Sequence, residues 1–497
     1  MNNNFPNCLN EVDLIYYSFI LKNINIVKDF KENINYYINN NFYGLKATKE
    51  FTFIKNQKAG QSNDEMHRFY LYRNKRFNNA CKKRGITYEN NGGNTYNINN
   101  NEEIIANGVD INQNSQEFKF ELLASTLIFK LLKESEINEK LNRPEENKQI
   151  SIKFELPNFN LSDESLMPVI SGIKFNNNIT EINLCGNLFS KTSSYWLGTI
   201  FKVNPNIKNL DLMRCNLDND CLYLFLEGTK YDNEKINEKQ YNLERLNLKD
   251  NPKITDSFNS ESQNPLCEIL KKFKLKNLNL TNTKLGNSGI TKFFKTFIDL
   301  ANQNKIYLEN LIIINNDIKN EECLDYIGKA LTLPNCTLRN LILNKNAITT
   351  PCLEGDVNYF ENFMKSVGKS KGIKTLYFIG CGIGNNSKNI DKLCEMLCEN
   401  KSLESIRLNN NKIDDMESFK RILEIFSEHG NNLRNNTIKI LDISNNQCNI
   451  KIDEDFLDLI EKLKLEYLDL ELNLMDPEEK LIFKERVDKL SDIRITY

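Results

Sequence analysis

The stretch LENLIIINNDI, residues 308–318, decides the fold. It follows the template L-x-x-L-x-L-x-x-N/C-x-L, with Leu311 at position 4 and Ile313 at position 6. These two positions alternate with the period of a β-strand, so their side chains point inward. Ile312 and Ile314 are unexpected, because a strand that buries alternate residues should carry polar side chains at the positions between.

The template recurs along most of the chain and gives eleven units. They begin at residues 151, 179, 207, 243, 275, 308, 338, 373, 403, 438 and 465. Position 9 is Asn, Cys or Thr in every unit except the first, which has Phe159. A small polar side chain at this position can bond backbone groups of neighbouring turns. After each strand, as in residues 389–401 and 418–430, apolar residues at i, i+3, i+4 and i+7 predict a helix.

Strand-plus-helix units of about 31 residues resemble the ribonuclease-inhibitor-like class of leucine-rich repeats. The resemblance covers residues 151–475. It implies an α/β leucine-rich repeat solenoid, a horseshoe with an inner parallel sheet and outer helices, whose neighbouring units bury a common core.

Both ends of the array are predicted to be capped. Residues 117–150 are interpreted as an N-terminal capping helix, and residues 476–497 as a C-terminal capping helix that starts at Asp476 and Pro477. Residues 1–116 are predicted to be a mostly helical region of unknown fold, with an Asn-rich linker at 89–116.

Composition narrows the function classes. The chain has 497 residues, is 40% hydrophobic and carries a net charge of −2, which gives no general attraction to nucleic acid or membrane. Its 13 cysteines follow no disulfide pattern, and its start lacks a secretory leader. The expectation is an intracellular, cytoplasmic protein without a membrane span. The abundance of asparagine is attributed to codon bias.

Groups for catalysis are scarce. The sequence has two histidines, His67 and His429, no Cys-x-x-Cys pair and no phosphate-binding G-x-x-x-x-G-K-[ST] loop. The glycines of GCGIGNN, residues 380–386, are interpreted as turn residues between a strand and a helix. We therefore expect no enzyme activity, no catalytic residue, no cofactor and no metal.

One basic stretch, residues 67–85, has aromatic side chains between its lysines and arginines. That combination suits single-stranded nucleic acid. A solvated helix face is the favoured interpretation, and we expect no specific nucleic-acid partner.

Three consecutive units depart from the polar pattern at the outward positions 3, 5 and 7. Because stacked strands lie about 4.8 Å apart, their outward side chains are predicted to be adjacent. This apolar patch consists of Ile312, Ile314, Ile342, Tyr377 and Ile379. Its predicted polar rim consists of Asn310, Asn340, Asn344 and Arg407. Apolar patches with polar rims mark binding sites, so we predict that the patch and Arg407 bind a partner, with Tyr377 as the anchor.

Two plainer explanations stay open for the patch. The N-terminal region could fold over it, or the isoleucines could be there because they favour strands.

The function predicted first is a scaffold, expected to be monomeric, that captures a protein of unknown identity on its concave face. A second reading is a GTPase regulator, since the GTPase-activating proteins of the nuclear-transport GTPase share this repeat class. Those proteins typically carry a strongly acidic C-terminal tail, whereas this sequence ends in IRITY. A third reading is an effector or ubiquitin-pathway adaptor whose repeats select the target.

Overall fold

The structure is a computed structural model. It describes residues 152–161, 163, 166, 169, 170, 173, 179–230, 240–257, 264–350, 358–428 and 435–497. The predictions for residues 1–150, including the basic stretch 67–85 and the N-terminal cap, lie outside these ranges, as does His429. The chain divides into two compact units between Leu243 and Glu244, and each is described by itself.

The described residues of the first unit include three parallel strands in chain order. They are β1 (Ile152–Glu155), β2 (Ile179–Asn183) and β3 (Asn209–Asp211). Helix α1 (Lys191–Val203) follows β2, and helix α2 (Asn219–Thr229) follows β3. The side chains of Phe154, Ile182 and Leu210 lie in register across the three strands and are buried, so the template's inward positions form the core.

In its described residues, the second unit has nine parallel strands, each paired with the next in the chain. They are β4 (Arg245–Asn247), β5 (Asn277–Asn279), β6 (Asn310–Ile312), β7 (Asn340–Ile342), β8 (Thr375–Tyr377), β9 (Ser405–Arg407), β10 (Ile440–Asp442), β11 (Tyr467–Asp469) and β12 (Arg494–Thr496). The helices between them are α3 (Pro265–Lys272), α4 (Gly286–Asn302), α5 (Glu322–Thr332), α6 (Tyr359–Lys369), α7 (Ser387–Glu399), α8 (Met416–Glu424), α9 (Glu454–Glu461) and α10 (Pro477–Val487).

Each helix of the second unit packs against the next. The core lies between helices and strands, where Phe363 of α6 meets Phe378 edge-to-face with ring centroids 6.1 Å apart. Leu311 and Ile313 of the opening stretch are fully buried. The predicted fold class, an α/β leucine-rich repeat solenoid of parallel strands and alternating helices, is confirmed.

The C-terminal segment contains a strand that the sequence analysis did not foresee. Helix α10 begins after Asp476, which accepts hydrogen bonds from the backbone of Glu478 and Glu479, and has Pro477 in its first turn. It ends at Val487, and Arg494–Thr496 then forms β12, parallel to β11. Residues 476–497 are therefore a helix and a strand, where only a helix was predicted, because β12 has no copy of the template.

Position 8 of all eleven repeats adopts the left-handed backbone conformation. The residues are Asn158, Gly186, Arg214, Asp250, Asn282, Asn315, Lys345, Gly380, Asn410, Asn445 and Leu472, with φ between 51° and 70°. Glycine, asparagine and aspartate tolerate this region best. Part of the asparagine that the sequence analysis attributed to codon bias therefore meets a backbone requirement of the turn.

Leu472 is the poorest fit to this position, since it combines φ of 58° with a side chain that is 74% exposed. Leu472→Asn is expected to raise the free energy of unfolding by about 1 kcal/mol, because asparagine relieves the left-handed strain. Urea unfolding measures the change. Leu474→Asn is the control: it removes a leucine that is 59% exposed but outside the left-handed region. Equal unfolding midpoints for the two variants would contradict the explanation.

Candidate protein-binding face

The face of the second unit's sheet opposite the buried side chains is organised in rows, because the strands pair residue for residue. Template position 5 falls on the last residue of each strand from β6 to β9. The residues there lie side by side and are Ile312, Ile342, Tyr377 and Arg407. The first three are partly exposed and Arg407 is exposed. The structure thus brings four of the six predicted partner-binding residues into one row across four strands.

Position 5 has a structural role in other repeats. An Asn or Asp side chain there accepts a hydrogen bond from the position-7 backbone N–H of its own repeat, at 2.9–3.2 Å. The six residues are Asn183, Asp211, Asn247, Asn279, Asp442 and Asp469. Such a side chain stabilises the turn that follows the strand. The row from Ile312 to Arg407 cannot make this bond, so four consecutive repeats forgo a local stabilisation of about 1 kcal/mol each.

Ile314 and Ile379, the other two predicted residues, occupy position 7 and are partly exposed. The backbone hydrogen bonds place Asn344 between them. Asn344 is buried, and its Oδ1 accepts a hydrogen bond of 2.9 Å from the Ile379 backbone N–H. The prediction that all five apolar side chains are adjacent and that Asn344 lies on the rim is therefore corrected. The reason is that each repeat contributes one residue at position 7, and the repeat between those of Ile314 and Ile379 contributes Asn344.

The border at position 3 is polar, as predicted. Asn310 Nδ2 donates to Asn277 Oδ1 at 2.7 Å, and Asn340 Nδ2 donates to Asn310 Oδ1. The three amides form a chain of hydrogen bonds across β5, β6 and β7. Their side chains are thereby held beside Ile312 and Ile342 and give the patch a fixed edge.

Arg407 stacks on Tyr377, with its guanidinium carbon 4.8 Å from the ring centroid. This is the range of a cation–π contact. Two polar atoms of the same repeat flank Arg407, Ser405 Oγ at position 3 and Asn409 Oδ1 at position 7, just beyond the end of β9. Both are buried and have no hydrogen-bond partner among the described residues. Sequence reasoning missed these two residues, since an outward serine or asparagine is unremarkable in a repeat.

Most cysteines of the described residues are buried. Burial raises the pKa of the thiols of Cys215, Cys323 and Cys381 to about 12, so they stay protonated at neutral pH. The described residues contain no cluster of three potential metal ligands. Gly380 and Gly382 both have φ near 70° and lie in the turn, in agreement with the interpretation of GCGIGNN. Within the described ranges, every helix falls short of a membrane span in length or in apolar content.

Comparisons with known proteins identify similar folds. No family model matches the sequence, and a search of curated proteins finds no relative. An internalin from Listeria monocytogenes matches with 17% identity and a TM-score of 0.37, over 70% of this chain and 82% of the internalin. The TLR13–ssRNA13 complex matches with 14% identity and a TM-score of 0.30. That match covers 66% of this chain and 35% of TLR13. Neither likeness bears on what this chain binds.

Proposed function

We propose that this protein is a non-enzymatic scaffold that captures a protein partner on the face formed by Ile312, Ile314, Ile342, Tyr377, Ile379 and Arg407. The observation that carries the proposal is the exchange at position 5. Four consecutive repeats replace the Asn or Asp that serves the backbone with side chains that are suited to contact another protein.

The exchange argues against the explanation that the isoleucines are there only as strand formers. Neighbouring β5 and β10 are equally short strands and carry Asn279 and Asp442 at position 5, each bonded to its turn. Apolar side chains at this position are therefore not needed for strand formation. A partly exposed apolar row beside a fixed polar edge is the usual form of a binding hot spot.

The other candidate functions remain predictions from the sequence. No described feature favours the GTPase regulator or the ubiquitin-pathway adaptor over a general scaffold. The ribonuclease-inhibitor-like subclass is proposed from the length of the strand-plus-helix units. The monomeric state and the cytoplasmic location stay predictions from the sequence.

The test is a comparison of partner capture by the full chain and by the double variant Ile312→Asn, Ile342→Asn. Asparagine restores the residue type that bonds the turn in other repeats, so the variant is expected to be at least as stable as the parent. Capture, measured by quantitative affinity purification, is expected to fall about tenfold or more, as when hot-spot side chains are truncated. A thermal melt of each protein checks the fold.

Asn247→Ile is the matched control, because it makes the reverse exchange at position 5 of β4, outside the patch. It is expected to lower the stability slightly, through loss of the bond to the Lys249 N–H, and to leave capture unchanged. Equal capture by the parent and by the double variant would overturn the proposed function.

A further inference from the structure

We propose that the partner is a protein segment that presents an apolar, an acidic and a basic side chain in this order across β7 to β11, with its acidic group bound to Arg407. The proposal rests on the proposed function, since it assigns a chemistry to the partner of the same face. It follows from a comparison of the charged side chains on this face that form ion pairs within the protein with those that do not.

Charges beside the face are paired between neighbouring repeats. At position 2, Lys374 bonds Glu404 at 2.6 Å and Lys439 bonds Glu466 at 2.5 Å. Arg407, three residues beyond Glu404, forms no ion pair with any described residue, and its guanidinium stacks on Tyr377. A guanidinium stacked on a ring keeps N–H donors at its edge that can bind a carboxylate in a bidentate manner.

Asp442 lies next to Arg407 in register and yet forms no ion pair with it. The side chain of Asp442 is buried, and its Oδ1 accepts hydrogen bonds from Ser444, at 3.1 Å from N and 2.7 Å from Oγ. Asp442 is thereby committed to the turn of its own repeat. The positive charge of Arg407 remains available to a ligand.

The two unpartnered atoms beside Arg407 strengthen the site. Ser405 is only 8% exposed, so its Oγ has little access to water and gains from a partner that replaces it. A serine hydroxyl donates a hydrogen bond, which suits a carboxylate, and Asn409 Oδ1 accepts one, which suits a backbone N–H. A peptide segment supplies both groups, whereas a lone anion supplies no donor.

Beyond Arg407 the face becomes acidic. Asp469 follows Asp442 in register, and Glu471 lies exposed two residues further. Asp469 accepts hydrogen bonds from the Glu471 backbone N–H at 3.0 Å and from Tyr467 Oη at 3.2 Å. Neither carboxylate forms an ion pair with a residue in the described ranges. A lysine or arginine of the partner fits here by charge complementarity.

The distance between strands predicts how far apart the three side chains lie in the partner's sequence. Ile342 and Arg407 are two strands apart, and so are Arg407 and Asp469, which corresponds to about 10 Å in each case. An extended segment that crosses the strands advances about 3.3–3.6 Å per residue, so three residues cover that distance. The pattern is therefore apolar, acidic and basic at intervals of about three residues, in either chain direction.

The test uses a random peptide display library, panned on the full-length protein and on two variants. On the parent protein, the enriched peptides are expected to carry the apolar–acidic–basic pattern. On Arg407→Glu, the preference at the middle position should change from acidic to basic, and a peptide selected on the parent should bind about tenfold more weakly or worse. Arg407→Lys keeps the charge but loses the planar fork, and is expected to retain part of the affinity.

The second variant, Ile312→Asn with Ile342→Asn, separates the two proposals. One outcome would overturn the partner chemistry and leave the proposed face intact. In that outcome, the peptides lose affinity for the double variant, but the peptides selected on the parent and on Arg407→Glu show the same charge pattern. Peptides that bind the double variant as tightly as the parent would overturn the face itself. A library that yields no binder to the parent would also overturn the partner chemistry.

Discussion

Asn346→Ala is expected to lower the free energy of unfolding by about 3–5 kcal/mol, the range in which the loss of a buried hydrogen-bond network falls. Asn346 occupies position 9 and is 2% exposed. Its Oδ1 accepts from the backbone N–H groups of Asn316 at 2.9 Å and Ile318 at 3.3 Å. Its Nδ2 donates to the carbonyls of Ile313 and Leu343, both at 2.8 Å. Alanine leaves the N–H groups of Asn316 and Ile318 and the carbonyl of Ile313 without these bonds, while the Leu343 carbonyl keeps only a weak one from Cys381 Sγ at 3.4 Å.

Graded variants separate the network from the loss of volume. Asn346→Thr should cost less than alanine, because Thr283 at the same position of another repeat bonds a buried carbonyl, that of Leu280, at 3.0 Å. Asn302→Ala, at an exposed position on α4, should change the stability by less than about 0.5 kcal/mol. Urea unfolding gives the three values. A loss below about 1 kcal/mol for Asn346→Ala would show that the hydrogen bonds of the position-9 side chain contribute little to stability.

Much of this fold could be predicted from the sequence because its signals are local. A strand, a turn and a helix recur within about 31 residues, and each of the eleven predicted template copies contains an observed strand. Position 9 was understood correctly for the same reason: Asn411, like Asn346, bonds the backbone of the preceding repeat. Strand β12 was missed since it follows no template.

The residues of the candidate face could be named from the sequence. Their arrangement could not be predicted in full, because it depends on contacts between neighbouring repeats. Asn344 separates Ile314 from Ile379 because it comes from the repeat between them. The asparagines and aspartates at position 5 were interpreted as solvent-facing groups, and their bond to the turn became visible only with coordinates. Because that bond stabilises the turn, its loss in the four repeats from Ile312 to Arg407 indicates that position 5 serves another purpose there.

The packing of α1 against α2 depends on glycines that the sequence analysis did not single out. A Cβ atom added at Gly198 of α1 would overlap the carbonyl oxygen of Phe225, and one added at Gly228 of α2 would overlap that of Tyr195. The two backbones therefore approach directly. A backbone carbonyl cannot rotate away as a side chain can, so any larger residue must push the helices apart.

Gly228→Ala is accordingly expected to destabilise the first unit by about 2–4 kcal/mol through overpacking. This inverts the usual rule, since alanine in place of glycine within a helix normally gains about 1 kcal/mol. Trp196, the chain's single tryptophan, lies on α1, so its fluorescence reports the unfolding of this helix pair.

Gly368→Ala on α6 is the matched control for Gly228→Ala. The nearest atom to its new Cβ would be Glu399 Oε2 at 2.6 Å, the end of an exposed and flexible side chain that can move aside. The control is expected to leave the tryptophan-detected transition unchanged and to keep or raise the stability of its own helix, because relief costs only a side-chain rotation. If Gly228→Ala behaved like Gly368→Ala, the direct contact of the α1 and α2 backbones would be refuted.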